Sequence, residues 1–146
     1  MNYAFQSSDS GKFSLHDCIA NQVIREGNRL TFRFPDGIYW DEYGNDWPNT
    51  GPAETEFIID PMRGVSFFLF EKRGDITVRR EYTPEEWVDR INRGEWELEF
   101  AYRYDGYEEI LYVCWIWENG EPWSYEAQLW IGTKEPPVFR WNPAAE

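Results

Sequence analysis

Between residues 95 and 131 large apolar side chains alternate with polar ones in three runs, separated by Asp105-Gly106 and by Glu118-Asn119-Gly120-Glu121-Pro122. A period of two predicts strands that bury one face. Asp-Gly between two such runs predicts a two-residue hairpin turn, because its central residues take positive φ. That turn sets Tyr104 opposite Tyr107, Tyr102 opposite Glu109, Phe100 opposite Leu111, Leu98 opposite Val113 and Trp96 opposite Trp115, all on an apolar side. The other side then carries Glu95, Glu97, Glu99 and Arg103. The second turn admits two registers, and a shift of one residue exchanges the faces of a strand. Closing it at Asn119-Gly120 would interrupt the apolar side with Ser124, Glu126 and Gln128. A loop that absorbs residues 118–122 pairs Trp117 with Trp123, Trp115 with Tyr125, Val113 with Ala127 and Leu111 with Leu129, and keeps Pro122 off the ladder. The longer loop is the expected register, and it leaves Glu126 and Trp130 on the acidic side.

Upstream, Phe13 to about Arg25 and Leu30 to Phe34 read as strands around the turn at Glu26-Gly27-Asn28, and Ile38-Tyr39-Trp40 opens another after Pro35-Asp36-Gly37. Asp41 to Glu54 is the longest irregular stretch, and long loops inside compact domains are often functional. Glu56 to Asp60 and Gly64 to Glu71 are dense in Phe and Ile, and Arg73-Gly74-Asp75 turns the chain into Ile76 to Tyr82. Thr83-Pro84-Glu85-Glu86 carries a Thr cap, Pro at the first helical position and Glu three residues after the cap, which predicts a helix of about residues 84–93 closed by Gly94. Trp87, Val88 and Ile91 form its apolar stripe. The expected fold is mainly β: an antiparallel β-sandwich or partly open β-barrel with one short inserted helix, in a single domain spanning 1–146. Residues 1–11 and 142–146 are expected to be loose termini.

Charge narrows the partners. Fourteen basic against 27 acidic residues give a net charge of −13, which opposes nucleic acid and anionic membranes and favours a protein with a basic surface. Nine Trp, nine Tyr and ten Phe separate the chain from disordered acidic sequences. The first ten residues lack the basic and apolar regions of a secretory signal, so a cytoplasmic protein with Cys18 and Cys114 reduced is expected.

Candidate chemistry is sparse. His16 is the only histidine, and no CxxC or HxxxH spacing marks a metal site, so no metal or cofactor is expected. On a strand His16 and Cys18 stand about 6 to 7 Å apart with parallel side chains, too far for a nucleophilic dyad. His16 or Asp17 is better read as tying a strand to a neighbouring backbone. Glu97 and Glu126 share a rung about 9 to 10 Å apart in the expected register, near the upper end for an inverting glycosidase, though a solvated sheet face carries such acids equally well. Arg73-Gly74-Asp75 matches an integrin-read tripeptide but sits where a hairpin needs glycine.

The strongest candidate binding segment is Tyr39, Trp40, Asp41, Glu42, Tyr43, Asp46 and Trp47, which mixes flat aromatic area with acidic charge. Trp130 and the acidic face of Glu95, Glu97, Glu99 and Glu126 extend it. Phe13-Ser14-Leu15-His16-Asp17-Cys18 with Leu30 to Gly37, and Glu86-Trp87-Val88 through Ile91 to Phe100, resemble small bacterial proteins of uncharacterised role, and the His-Asp opening is similar to predicted toxin-immunity proteins. That resemblance implies a cytosolic binding protein and no catalytic residues. The leading expectation is therefore a non-enzymatic acidic interaction module that neutralises a basic partner. The alternative is a carbohydrate-binding or glycan-processing β domain using Trp40, Trp47, Trp130 and Trp141. A homo-oligomer would also bury exposed aromatics.

Overall fold

In the computed structural model, which describes residues 2–40 and 48–145, these residues form thirteen strands and one α-helix. Five strands make one antiparallel sheet, in the order β1 (Phe5–Ser7), β13 (Val138–Trp141), β7 (Ala53–Ile58), β5 (Arg29–Phe34) and β4 (Gln22–Glu26). Six make a second, in the order β3 (Cys18–Ala20), β10 (Trp96–Gly106), β11 (Glu109–Glu118), β12 (Ser124–Gly132), β8 (Val65–Arg73) and β9 (Ile76–Tyr82). A small pair, β2 (Phe13–Ser14) with β6 (Tyr39–Trp40), makes the third. The arrangement is sandwich-like, as expected from alternating runs and a single helix.

The core lies where the two large sheets face each other. Leu30, Phe32 and Phe34 of β5 and Phe57 of β7 meet Phe67 and Leu69 of β8, Leu98 and Phe100 of β10, Ile116 of β11 and Leu129 of β12, all buried. Helix α1 (Pro84–Asn92) begins as its sequence predicts: Thr83 Oγ1 accepts from the Glu86 N–H, and Glu86 Oε1 accepts from the Thr83 N–H. Its Trp87 is fully buried, stacked between Phe32 and Phe67 at ring separations of 6.2 and 5.3 Å. Asn92 fastens the end of the helix to edge strand β4, accepting from Val23 N at 2.7 Å and donating to Val23 O at 2.8 Å.

The first hairpin departs from expectation. Asp105 and Gly106 belong to the ladder, opposite Ile110 and Glu109, and the turn falls on Tyr107-Glu108 with Glu108 at φ 52°. A β-bulge at Ala101 then shifts the register, so that Tyr102 pairs with Val113 but Phe100 with Cys114. A bulge turns the side chains beyond it to the other face. Trp96, Leu98 and Phe100 point into the core, whereas Tyr102 and Tyr104 point outward and are exposed. The inward set on β11 is Ile110, Tyr112, Cys114 and Ile116, not Leu111, Val113 and Trp115. The second hairpin pairs Trp117 with Ser124, Trp115 with Glu126 and Leu111 with Trp130, a register one residue beyond the expected one. Tyr125 and Trp96 therefore face the core while Trp115 faces out, and the expected common side for these three does not exist. The physical cause is that β11 is apolar on both faces, so alternation could not choose between them.

Two further differences concern the ends. Residues 5–7, expected to be loose, form β1 against β13, and Asn142 holds Ala4 N and Gly51 N through its side-chain and backbone oxygens. The irregular stretch after Trp40 ends earlier than expected, because Ala53 and Glu54 already belong to β7.

Candidate functional site

The inner face of the six-stranded sheet meets the five-stranded sheet and α1. Across β10, β11 and β12 one outer rung reads Glu99, Trp115, Glu126, and the rung beside it reads Glu97, Trp117, Ser124. Another carries Leu111 beside Trp130, and Phe68 on β8 stands opposite Gln128. These tryptophans are half-buried. Two indoles are held by their own hydrogen bonds: Trp117 Nε1 donates to Glu99 Oε1 at 2.8 Å, and Trp130 Nε1 donates to Gln128 Oε1 at 3.2 Å. At the far side the Arg79 guanidinium lies over the Phe68 ring, 3.6 Å from its centre.

Glu97, Glu99 and Glu126 thus share a face, as expected, and Trp130 joins them. Glu95 does not. It precedes β10 and pairs with Arg93 at 2.8 Å. The face is not purely acidic either, since Leu111, Val113, Trp115 and Trp117 belong to it. Glu99 and Glu126 are two strand spacings apart, about 9 to 10 Å. Trp115 stands between them, where a glycosidase would need sugar and water, and Glu99 is already engaged by Trp117. Alternation in the sequence assigns Trp115 and Trp117 to the core and so conceals them as surface residues. The signal that could have found them is the unbroken apolar run from Ile110 to Trp117, which requires partners on both faces.

Compared with known proteins, the chain matches no family model, no curated protein and no solved structure.

Two other places hold residues singled out in the sequence. Tyr39 and Trp40 lie on β6; Asp41, Glu42, Tyr43, Asp46 and Trp47 lie outside the described residues. Trp40 approaches Trp141 at 6.1 Å between ring centres, and Trp141 stacks on Phe5 at 5.6 Å. These three rings line an apolar recess of about 510 Å³. Trp130 sits on a different sheet and does not join them.

His16 occupies the corner where β3 meets the β10 bulge. Its Nδ1 hydrogen-bonds the carbonyl oxygen of Ala101, the bulged residue, and Asp17 N donates to Phe100 O at 2.8 Å. The bulge therefore presents two consecutive carbonyls that both residues capture, and Asp17 takes φ 64° to do so. The same bulge turns Arg103 inward, where it forms a double contact with Asp105 at 2.9 Å beside the buried Tyr112, at a cavity of about 360 Å³. Burial pushes the Tyr112 phenol well above its ordinary value. The thiol of Cys18 points at backbone oxygens, 3.6 Å from His16 O, and burial pushes it up to about 12, so it is no nucleophile near neutrality. Cys18 and Cys114 flank Phe100 on one rung of three strands, about 9 to 10 Å apart, beyond disulfide reach. Among the described residues no group of His, Cys, Asp or Glu is arranged to hold a metal ion, and no helix is long and apolar enough to cross a membrane.

The outer face of the five-stranded sheet carries a polar network that the sequence did not suggest. Glu54 accepts from Arg140 Nη1 at 2.8 Å and from Arg33 Nε at 3.3 Å; Arg140 also reaches Glu56 and Gln6, and Arg33 reaches Gln22. Every charge in it has a partner, which marks it as a stabilising band and not a receptive surface.

Proposed function

We propose that this protein is a non-enzymatic binding domain whose outer six-stranded sheet face receives a cationic protein surface, in the manner of an immunity-type neutraliser of a basic toxin or nuclease. The observation that carries this reading is the rung Glu99–Trp115–Glu126, flanked by Trp117 and Glu97. A guanidinium entering such a rung stacks on indole while its N–H groups reach carboxylates on either side. Arg79 over Phe68 is an example of that stacking within the same face. The net charge of −13 steers a basic partner toward it, and the ordered indoles offer contact area without losing further side-chain freedom.

The test is an arginine-rich peptide titrated against the wild type, Trp115→Ala and the Glu99→Gln/Glu126→Gln double variant. The wild type should bind with an affinity that falls steeply between about 50 and 200 mM salt, and each variant should weaken binding at least about tenfold. Binding that ignores both salt and these substitutions would remove the proposal.

A second reading rests on a separate observation, the recess formed by Phe5, Trp40 and Trp141. Stacked and tilted aromatic rings beside an apolar hollow suit the faces of a sugar. Titration with soluble glycans, comparing wild type with Trp141→Ala, tests it: a fluorescence change lost in the variant supports a glycan site, and no change across the panel ends the idea.

A further inference from the structure

The outermost strands of the two large sheets differ in how their free edges are treated. β1 and β3 are only three residues long, and on β4 both backbone groups of Val23 are taken by Asn92. β9 has no such protection. It closes the six-stranded sheet with seven residues, Ile76–Tyr82, free of proline and in unbroken register with β8. Alternate residues of an antiparallel edge strand aim their N–H and C=O groups away from the sheet. Apart from the ladder with β8, no backbone–backbone hydrogen bond reaches Ile76–Tyr82 among the described residues. The side chains are open as well: all from Ile76 to Glu81 are exposed except the half-buried Val78. A long bare edge is a template for another strand, and proteins usually blunt it.

We propose that β9 pairs antiparallel with β9 of a second copy of this chain, about a two-fold axis at Arg80, so that the two six-stranded sheets join into one. Charge complementarity selects both the occupant and the register. Arg79 and Glu81 share the outer face of the strand, as their partners Phe70 and Phe68 on β8 show. Among the described residues neither has an oppositely charged side chain within salt-bridge distance; Arg79 lies over the Phe68 ring. A two-fold interface brings the same patch against itself. Centred on Arg80, it sets Arg79 of each copy opposite Glu81 of the other, and no other antiparallel register does so. Charges that blunt an edge repel an approaching strand; these two, being opposite in sign, attract their own copy. On the inner face Val78 meets the second copy's Tyr82. Arg80 there meets its counterpart, and Glu71 and Glu86, 4.0 and 3.9 Å from each guanidinium, offset the like charge. Repulsion between two chains of net charge −13 is weakened at this edge, because residues 71–82 carry four bases (Lys72, Arg73, Arg79, Arg80) against three acids (Glu71, Asp75, Glu81). The pairing does not rest on the function proposed above, and either can fail without the other.

Sedimentation of the full chain over a range of concentrations tests this. The wild type should pass from monomer to dimer below about millimolar concentration. Arg79→Glu and Glu81→Arg each set like charges opposite one another twice across the two-fold, and each should weaken the dimer about tenfold or more. The double variant Arg79→Glu/Glu81→Arg restores opposite charges and should recover most of that loss. Amide hydrogen exchange of the wild type gives a second reading that needs no substitution. As the dimer forms, alternate amides of β9 should become protected while those of β4 stay unchanged. The proposal is overturned by a wild type that stays monomeric at about millimolar concentration, or by a dimer that neither single variant weakens. A double variant no tighter than the single ones, or a dimer whose β9 amides exchange as in the monomer, overturns it equally.

Discussion

Glu54→Gln isolates the energetic role of the polar band on the five-stranded sheet. The Glu54 side chain is 10% exposed and accepts from two arginines that are each about a quarter exposed, at 26% and 24%. Removing one member of a buried pair typically costs about 3 to 5 kcal/mol, because the surviving charge is left desolvated and alone. Here the survivors are not alone. Arg140 keeps Glu56 and Gln6, and Arg33 keeps Gln22, while partial exposure lets water share the load. The glutamine amide also retains one acceptor oxygen. The expected loss is therefore about 2 kcal/mol, which for a chain of this size lowers the thermal midpoint by about 4 to 8 °C. Urea unfolding followed by Trp fluorescence measures it through the midpoint at constant slope. A quadruple variant, Arg33→Met/Glu54→Leu/Glu56→Leu/Arg140→Met, removes all four charges of the band and should cost less than the single substitution, since none of them is left unpaired. A Glu54→Gln effect below about 0.5 kcal/mol, or a quadruple variant worse than the single one, would refute the claim that the band is a coupled network.

The remaining predictions probe other structural contacts. Asn92→Ala leaves the backbone N–H and C=O of buried Val23 unpaired and should cost about 1 to 3 kcal/mol, with hydrogen exchange at β4 rising more than at β11; equal rises would deny its role as an edge tie. Tyr82 donates to Glu71 Oε1 at 2.6 Å; that bond holds the Glu71 carboxyl below its ordinary 4.5, while burial and then the same bond raise the Tyr82 phenol above 10.0. A lowered carboxylate stabilises the fold above its unfolded value and loses this as pH falls through the folded one; a raised phenol stabilises below its unfolded value and loses this as pH rises. The stability gap between wild type and Tyr82→Phe should be flat from about pH 5 to 9 and narrow on both sides, and a gap unchanged at both extremes would contradict the assignment. Cys18 and Cys114 are buried, with raised thiols, so a thiol reagent should label them at the rate of unfolding and find two only in denaturant; rapid labelling of the native protein would count against their placement.

Several features were readable from the chain alone. The helix start at Thr83-Pro84-Glu85-Glu86 needs only local chemistry, and it formed as expected. So did the left-handed glycines Gly74 and Gly94, at φ 64° and 78°. A mainly antiparallel β fold with one helix followed from runs that alternate over 5 to 10 residues. Local rules reach this far because a cap, a turn or a strand period depends on residues a few positions away.

Which face of β11 looks inward could only be decided by the assembled sheet. Ile110-Leu111-Tyr112-Val113-Cys114-Trp115-Ile116-Trp117 is apolar at every position, so either half of it could fill the core. The choice was made elsewhere, by the turn at Tyr107-Glu108 and by the bulge at Ala101, whose carbonyl and that of Phe100 are taken by His16 and Asp17 some 85 residues earlier. No pattern within residues 95–131 contains that contact. The sequence by itself determined the helix, the strand-rich class and the overall charge; the tertiary structure decided that Trp115 and Trp117 stand outside among glutamates, because register is a property of paired strands and not of a single run.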